Sequence, residues 1–316
     1  MPTAKTDVVS IVDLAPALPS LLARAEAMKR ARQHGDLSAT RPGTNLAMIF
    51  EKSSTRTRTS FEVAMNDLGG HALYLSSRDL QLGRGETIGD TARVLSRYVD
   101  AICYRAFRNE DMAALAGAAS VPVINALDDR EHPCQIVADL LTLHERWHGA
   151  FAGKTLAYIG DGNNVLNSLL LGAAIVGLNV VAATPSSYRP PADVVANAEK
   201  LAKRHRSTVR IVEAPSAAAR DADALYTDVW VSMGDEEEKA AREAAFRGYQ
   251  VNSELVRLAK KDVWVMHDLP AHRGEEITDD VMDGPRAVVW DQAENRLHAQ
   301  KAILEHVLPA PATRGR

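Results

Sequence analysis

The chain has 316 residues, 46% of them hydrophobic and 25% charged, with a formal net charge of −4 and its cations dispersed. Such a length buries a large core and suggests two domains, while the lack of a concentrated basic face argues against nucleic acid or an anionic membrane as partner. Cys103 and Cys134 have no metal-ligand spacing, the opening MPTAKTDVVSIVDLAPALP has no uninterrupted apolar stretch, and no run of about 18 apolar residues occurs, so a cytoplasmic protein is expected, neither secreted nor membrane-inserted.

The first strand is predicted at Leu46 to Phe50 and runs into FEKSSTRTRTSFE, Phe50 to Glu62, where a helix of period 3.6 follows over residues 57–69. A helix start rich in Ser, Thr and Arg binds anions: its unpaired backbone N–H groups and positive dipole end are joined by hydroxyl donors and by guanidinium groups that grip phosphate through two parallel bonds. The GxxxxGK[ST] pattern is absent, so a small phosphorylated ligand fits better than a nucleoside triphosphate. Read only as structure, the same segment is an N-capped amphipathic helix with solvated arginines.

Further strands are expected at Ala72 to Leu75, Ala101 to Tyr104 and Val121 to Asn125, with helical patterns over residues 87–97 and 109–117. This βαβα alternation predicts a parallel sheet. A longer helical pattern from His132 to Trp147 ends at Gly149, and a second series begins: strands at Thr155 to Ile159, Asn179 to Ala183, Val209 to Val212, Ala224 to Thr227 and Val263 to Met266, with helices such as 192–205 between them. The last helix is expected at Ala293 to Val307, and the tail PAPATRGR is expected to be disordered. The fold class predicted is α/β, two doubly wound parallel-sheet domains with the active site in the cleft between them. Residues 1–148, completed by a C-terminal helix at 292–308, form one domain and residues 149–291 the other.

In open α/β sheets ligands sit beyond the carboxyl ends of the strands. Five polar clusters follow strands here: SSTRT, Arg105, HPCQ at 132–135, DVWVSMG at 228–234 and HDLPAHRGEE at 267–276. Each alone reads as a cap or turn; five at one topological edge indicate a substrate cleft. YIGDGNN, following a strand and opening a helix, is a competing dinucleotide signal, but Val165 stands at the third glycine position and VVAATPSSYRP offers no acidic residue for a ribose. Gly160 and Gly162 then make the tight turn that presents Asn163 and Asn164 to a polar ligand.

Taken together, STRTRTSFE, LQLGRGETIGDTARVLSRYVDAI, HPCQ, GDGNN, DVWVSMG and ENRLHAQKA, in this order over residues 46–305, resemble the aspartate/ornithine carbamoyltransferase family. HPCQ and SMG favour its ornithine branch. The resemblance implies a carbamoyl phosphate-binding domain followed by one for the amino acid, with transfer of the carbamoyl group to the δ-amine of L-ornithine, in the synthesis or breakdown of arginine. It implies no metal and no organic cofactor, and a homotrimer or assembly of trimers with active sites near subunit interfaces. By the same resemblance Ser54, Thr55, Arg56, Thr57 and Arg296 hold the phosphate. Arg105, His132 and Thr57 polarise the carbonyl oxygen, Gln135 and the Leu269 carbonyl bind the carbamoyl NH₂, and Gln81 enters a neighbouring subunit's site. Asp228 takes the α-ammonium of ornithine, and Asn164, Ser232 and Met233 its carboxylate. Gly234 suggests a loop able to close over the ligand.

One position departs from the family. Its HCLP is His267-Asp268-Leu269-Pro270 here, putting a carboxylate where the branch has a cysteine beside the reacting amine. Asp268 therefore joins Arg105 and His132 as a catalytic candidate: it could accept the amine's proton or, by raising the amine's pKa, hold it in the unreactive ammonium form. It could also turn away and bond the neighbouring backbone. A carbamoyltransferase for a different amine or diamino acid, and a noncatalytic relative, are the alternatives.

Overall fold

The computed structural model describes residues 5–37, 39–77, 80, 85–231 and 236–310. Gln81, Ser232, Met233, Gly234 and the end of the tail lie outside the described residues. The chain divides into two compact units, Met1–Leu141 with Asn295–Arg316, and Thr142–Glu294.

The first unit carries α1 (Leu18–Gln33), β1 (Asn45–Phe50), α2 (Thr55–Asp67), β2 (His71–Ser76), α3 (Ile88–Leu95), β3 (Ala101–Arg105), α4 (Asn109–Ala118), β4 (Val123–Leu127) and most of α5 (Pro133–Arg146). Its sheet is parallel, in the order β2-β1-β3-β4. The second strand after β1 is placed on the opposite side of it from the first, so the winding reverses between β1 and β3, where a crevice opens at the strands' carboxyl ends. Near-continuous burial of β1 and β3 marks a sheet covered on both faces. β4 begins two residues later than the apolar run suggests. Pro122 has no N–H to give the β3 ladder, and on the opposite edge of β4 the Val123 N–H donates to Asp7 at 2.8 Å. Val8 then bridges β4 at Ile124, so the N-terminal segment covers the sheet edge.

The second unit carries β5 (Thr155–Ile159), α6 (Asn164–Val176), β6 (Asn179–Ala183), α7 (Ala192–His205), β7 (Val209–Val212), α8 (Pro215–Ala219), β8 (Ala224–Thr227), α9 (Lys239–Phe246), α10 (Ser253–Val256), β9 (Trp264–His267) and α11 (Asp279–Met282). Its sheet is again parallel, in the order β7-β6-β5-β8-β9, and reverses between β5 and β8. An apolar cluster including Ala157, Ile159, Leu225, Val265 and Ile277 fills one side of the sheet.

The last helix, α12 (Val289–Val307), begins in the second unit and continues into the first. There it is tied by Lys29 Nζ to Asn295 Oδ1 at 2.8 Å, by the buried Lys301–Asp67 pair at 3.3 Å, and by a two-pronged Arg24–Glu305 contact at 2.6 and 2.7 Å. These bonds hold the helix that supplies Arg296.

Candidate active site

In the first unit the site forms at the β1/β3 reversal. Ser54 is the N-cap of α2, with extended backbone, and its hydroxyl accepts the Thr57 N–H at 3.2 Å. Thr55 and Arg56 lie exposed on the first turn of α2, whereas Thr57 is buried. The ladder between β3 and β4 shifts register between Tyr104 and Arg105. The extra residue is Ala126 on β4, opposite the point where β3 ends in the buried Arg105. Beyond β4, Asp128 accepts from the Arg130 and Glu131 N–H groups at 2.8 and 2.7 Å and from Asn109 Nδ2 at 2.8 Å, shaping the turn that delivers His132 to the start of α5.

Arg296 gathers this set. Its Nη1 donates to Gln135 Oε1 at 2.5 Å and its Nη2 to Thr57 Oγ1 at 2.7 Å, while Gln135 Nε2 donates to Asp139 Oδ1 at 2.8 Å. His132 is buried beside Arg296, Arg105 and Arg56; burial first, and then these three cations, push its imidazole well below its ordinary pKa. The imidazole is therefore neutral at pH 7, a hydrogen-bond donor set among positive charges. A dianion with a polarisable carbonyl is what such a group is suited to hold. Cys134, inside the same motif, is a buried thiol pushed up to about 12 by burial, and donates to the Asn125 carbonyl at 3.3 Å. It packs rather than reacts.

In the second unit the residues collect at the β5/β8 reversal and the end of β9. Asn163 caps α6: its Oδ1 accepts from the Val165 and Leu166 N–H groups at 3.0 and 3.1 Å, and its Nδ2 donates to Asp228 Oδ2 at 2.6 Å. Asn163 therefore orients Asp228, while Asn164 opens the helix. The residue signal for this role is an Asn standing just before an apolar helical run. The other oxygen of Asp228 accepts the Val229 N–H at 2.7 Å. Arg242 ties down the segment after Asp228, donating to Asp161 at 2.9 Å and to the Trp230 carbonyl at 3.1 Å.

The dinucleotide reading fails on geometry. Gly162 donates to the Tyr188 carbonyl at 2.9 Å, and a Cβ placed on it would stand 2.3 Å from the Pro190 nitrogen. The close backbone approach that a glycine fingerprint reserves for a pyrophosphate is taken by the chain's own Tyr188–Pro190 segment.

At the end of β9, the Leu269 N–H donates to His267 Nδ1 at 2.9 Å. The imidazole proton therefore sits on Nε2, 3.0 Å from Glu276 Oε1. Both ring nitrogens of His267 are engaged, by Leu269 and Glu276, so His267 has no lone pair to offer a metal beside Asp228 and Asp268. Leu269 has φ of 64°, a left-handed conformation costing a non-glycine residue about 1 kcal/mol or more, and the bond to His267 helps hold it there.

Residues 6–145 match the carbamoyl-P binding domain of aspartate/ornithine carbamoyltransferases, and residues 152–307 match the Asp/Orn binding domain. The chain belongs to the aspartate/ornithine carbamoyltransferase family. It is 53% identical over 305 residues to an ornithine carbamoyltransferase of Methanoculleus marisnigri, an alignment covering 96% of this chain and 97% of the relative. It is 51% identical to a catabolic ornithine carbamoyltransferase of Thermoplasma volcanium, covering 96% and 99%. Among solved structures, the ornithine carbamoyltransferase from Pyrococcus furiosus superposes with a TM-score of 0.93 at 52% identity, covering 96% of this chain and 97% of that one.

Proposed function

We propose that this chain transfers the carbamoyl group of carbamoyl phosphate to the δ-amine of L-ornithine, giving L-citrulline and phosphate. The observation that carries the reading is the buried His132 beside the cations Arg296, Arg105 and Arg56, with Arg296 bonded to Thr57 and Gln135. The reaction asks for this arrangement. A neutral amine attacks the carbamoyl carbon, its lone pair forms the new C–N bond, and the carbonyl electrons move to oxygen. When the oxyanion collapses, the C–O bond to phosphate breaks, and phosphate leaves with that pair and with the proton that the attacking nitrogen gives up.

Ser54, Thr55, Arg56, Thr57 and Arg296 hold the phosphate and offset the charge it gains on leaving. Arg105 and His132 donate to the growing oxyanion, with Thr57 beside them. Gln135 Oε1 has a second lone pair for the carbamoyl NH₂, and the Leu269 carbonyl accepts from the same group. Asp228, aimed by Asn163, takes the α-ammonium, and Asn164, Ser232 and Met233 take the α-carboxylate. Positioning two substrates and preorganised charge together supply the acceleration; no covalent enzyme intermediate is required.

The first unit is the carbamoyl phosphate domain and the second the ornithine domain in this reading, and the direction within arginine metabolism is left to the cell. The active form is a homotrimer or an assembly of trimers, with Gln81 completing a neighbour's site. Exposed apolar side chains at Leu73, Val94 and Tyr98 support an interface on the β2 and α3 side of the first unit. No described helix is long and apolar enough to cross a membrane, which accords with work in the cytoplasm.

The test is direct. Supplied with carbamoyl phosphate and a panel of amines, without added metal or cofactor, the purified protein is expected to release phosphate and form citrulline from L-ornithine. Turnover of another diamino acid with ornithine inert would transfer the assignment to that amine. Asp268 favours examining that second reading, because it adds a carboxylate to the amine-binding unit.

A further inference from the structure

The carboxyl edge of the second sheet presents an aligned set of acceptors. In the parallel register Tyr158 lies beside Tyr226, and Tyr226 beside Met266. Side chains two residues onward share a face, so Gly160, Asp228 and Asp268 are the next positions on the face that carries Tyr158. Gly160 fills nothing there. A Cβ built on it would stand 3.7 Å from Tyr158 Oη, so the phenol runs along its own strand to the level of the two aspartates. An oxygen of Asp228 and one of Asp268 lie within 4.8 Å of each other.

Tyr158 is fully buried, and its Oη has no hydrogen-bond partner among the described residues. Buried hydroxyls are almost always paired, so this one points to a ligand. Burial, and then the charges of Asp228, Asp161 and Asp268, keep the phenol protonated. Of the groups that face it, Asp161 is held by Arg242 at 2.9 Å, and His267 Nδ1, 3.6 Å from Asp268 Oδ1, carries no proton to give because it accepts from Leu269. A neutral phenol oxygen beside two carboxylates calls for a cation that donates hydrogen bonds.

We propose that Tyr158 Oη, Asp228 and Asp268 form one three-acceptor site for a primary ammonium group, the α-ammonium of the amino-acid substrate. An –NH₃⁺ group has three donors, and this edge offers three acceptors on one face. The proposal rests on the reaction read above and changes one role within it: Asp268 anchors the head group of the substrate and is not the base for the attacking amine. The site selects primary α-amines, since an N-methyl group removes one donor and occupies its place.

L-norvaline tests this, because it keeps the α-ammonium and lacks the side-chain amine. Its dissociation constant is measured by calorimetry at saturating carbamoyl phosphate for the wild type, Tyr158→Phe and Asp268→Asn. Tyr158→Phe keeps the ring stacked on Tyr226 at 5.8 Å, and Asp268→Asn tests the site independently should the other variant not fold. Each variant is expected to bind norvaline about tenfold more weakly, the loss of one hydrogen bond to a charged group. Carbamoyl phosphate affinity and the shape of the kcat–pH profile should stay as in the wild type. Norvaline affinity unchanged in either folded variant overturns the three-acceptor site, and so does an Asp268→Asn profile shifted along the pH axis with norvaline binding intact, which would put the carboxylate beside the attacking amine. A wild type that forms no citrulline from ornithine overturns the reaction reading, an outcome recorded before any variant is compared.

Discussion

The two units place opposite charge on the same topological feature. Each has a parallel sheet whose winding reverses, and each collects polar side chains where it does. At the β1/β3 reversal the residues are cationic and surround a neutral imidazole; at the β5/β8 reversal they are carboxylates beside a protonated phenol. The backbone supplies a crevice of either kind without preference. What distinguishes the proposed anion site from the proposed ammonium site is which residues follow the strands. SSTRT follows β1 and Arg105 ends β3, while Asn163 follows β5 and Asp228 follows β8.

That contrast can be broken from either side. The largest effect is expected for Arg105→Ala, which should lower kcat by about 10²-fold or more, the scale of losing an oxyanion stabiliser. Its ornithine affinity should be nearly that of the wild type. A kcat within a few-fold of normal would mean that the guanidinium at the end of β3 does not reach the chemistry.

On the opposite side, Asn163→Ala removes the 2.6 Å bond that orients Asp228 and the cap of α6. KM for ornithine should rise about tenfold, as expected for a lost bond to a charged acceptor, with carbamoyl phosphate binding unchanged. Equal losses for both substrates would show that the two charge sets are not independent.

The smallest effect is electrostatic and sharpens the comparison. The folded chain holds the His132 pKa below the ordinary imidazole value, so between the two values the unfolded chain binds a proton that the folded chain refuses. Stability contributed by this residue is thus lost as pH falls through that window, by at most about 1.4 kcal/mol per pH unit, and is level above it. His132→Gln should flatten this slope. Denaturant midpoints one unit above and one unit below the ordinary value measure it; equal slopes would mean that burial and the three arginines do not hold the imidazole neutral.

Much of the architecture is legible in the residues because parallel strands buried on both faces read as short apolar runs, as β1, β3 and β5 do. What escapes is set by partners distant in sequence. Nothing around Val8 announces that it bridges β4, since the cause is the open edge of β4, whose Val123 carbonyl and Asn125 N–H it meets more than a hundred residues away. Asn163 and Asn164 look alike in GDGNN, and only folding turns the first into a cap and a brace for Asp228. Tyr158 reads as one more apolar residue of a strand; that its hydroxyl lies level with Asp228 and Asp268 depends on the register of three strands. Conversely, the glycines that suggest a dinucleotide are explained by a loop 26 to 28 residues further on, the difference between Gly162 and Tyr188–Pro190.

The passage of α12 from one unit to the other has a consequence for biogenesis. Arg296 belongs to a stretch synthesised after every strand of both sheets, as do Lys301 and Glu305, which bind it to α2 and α1. During translation the second unit has all of its residues before the first unit has its last helix, inverting the usual amino-terminal-first order. An emerging chain therefore lacks Arg296 of the proposed phosphate site, with Asp67 still awaiting Lys301. On the proposed role of Arg296, catalytic competence arrives at the end of synthesis, when α12 docks.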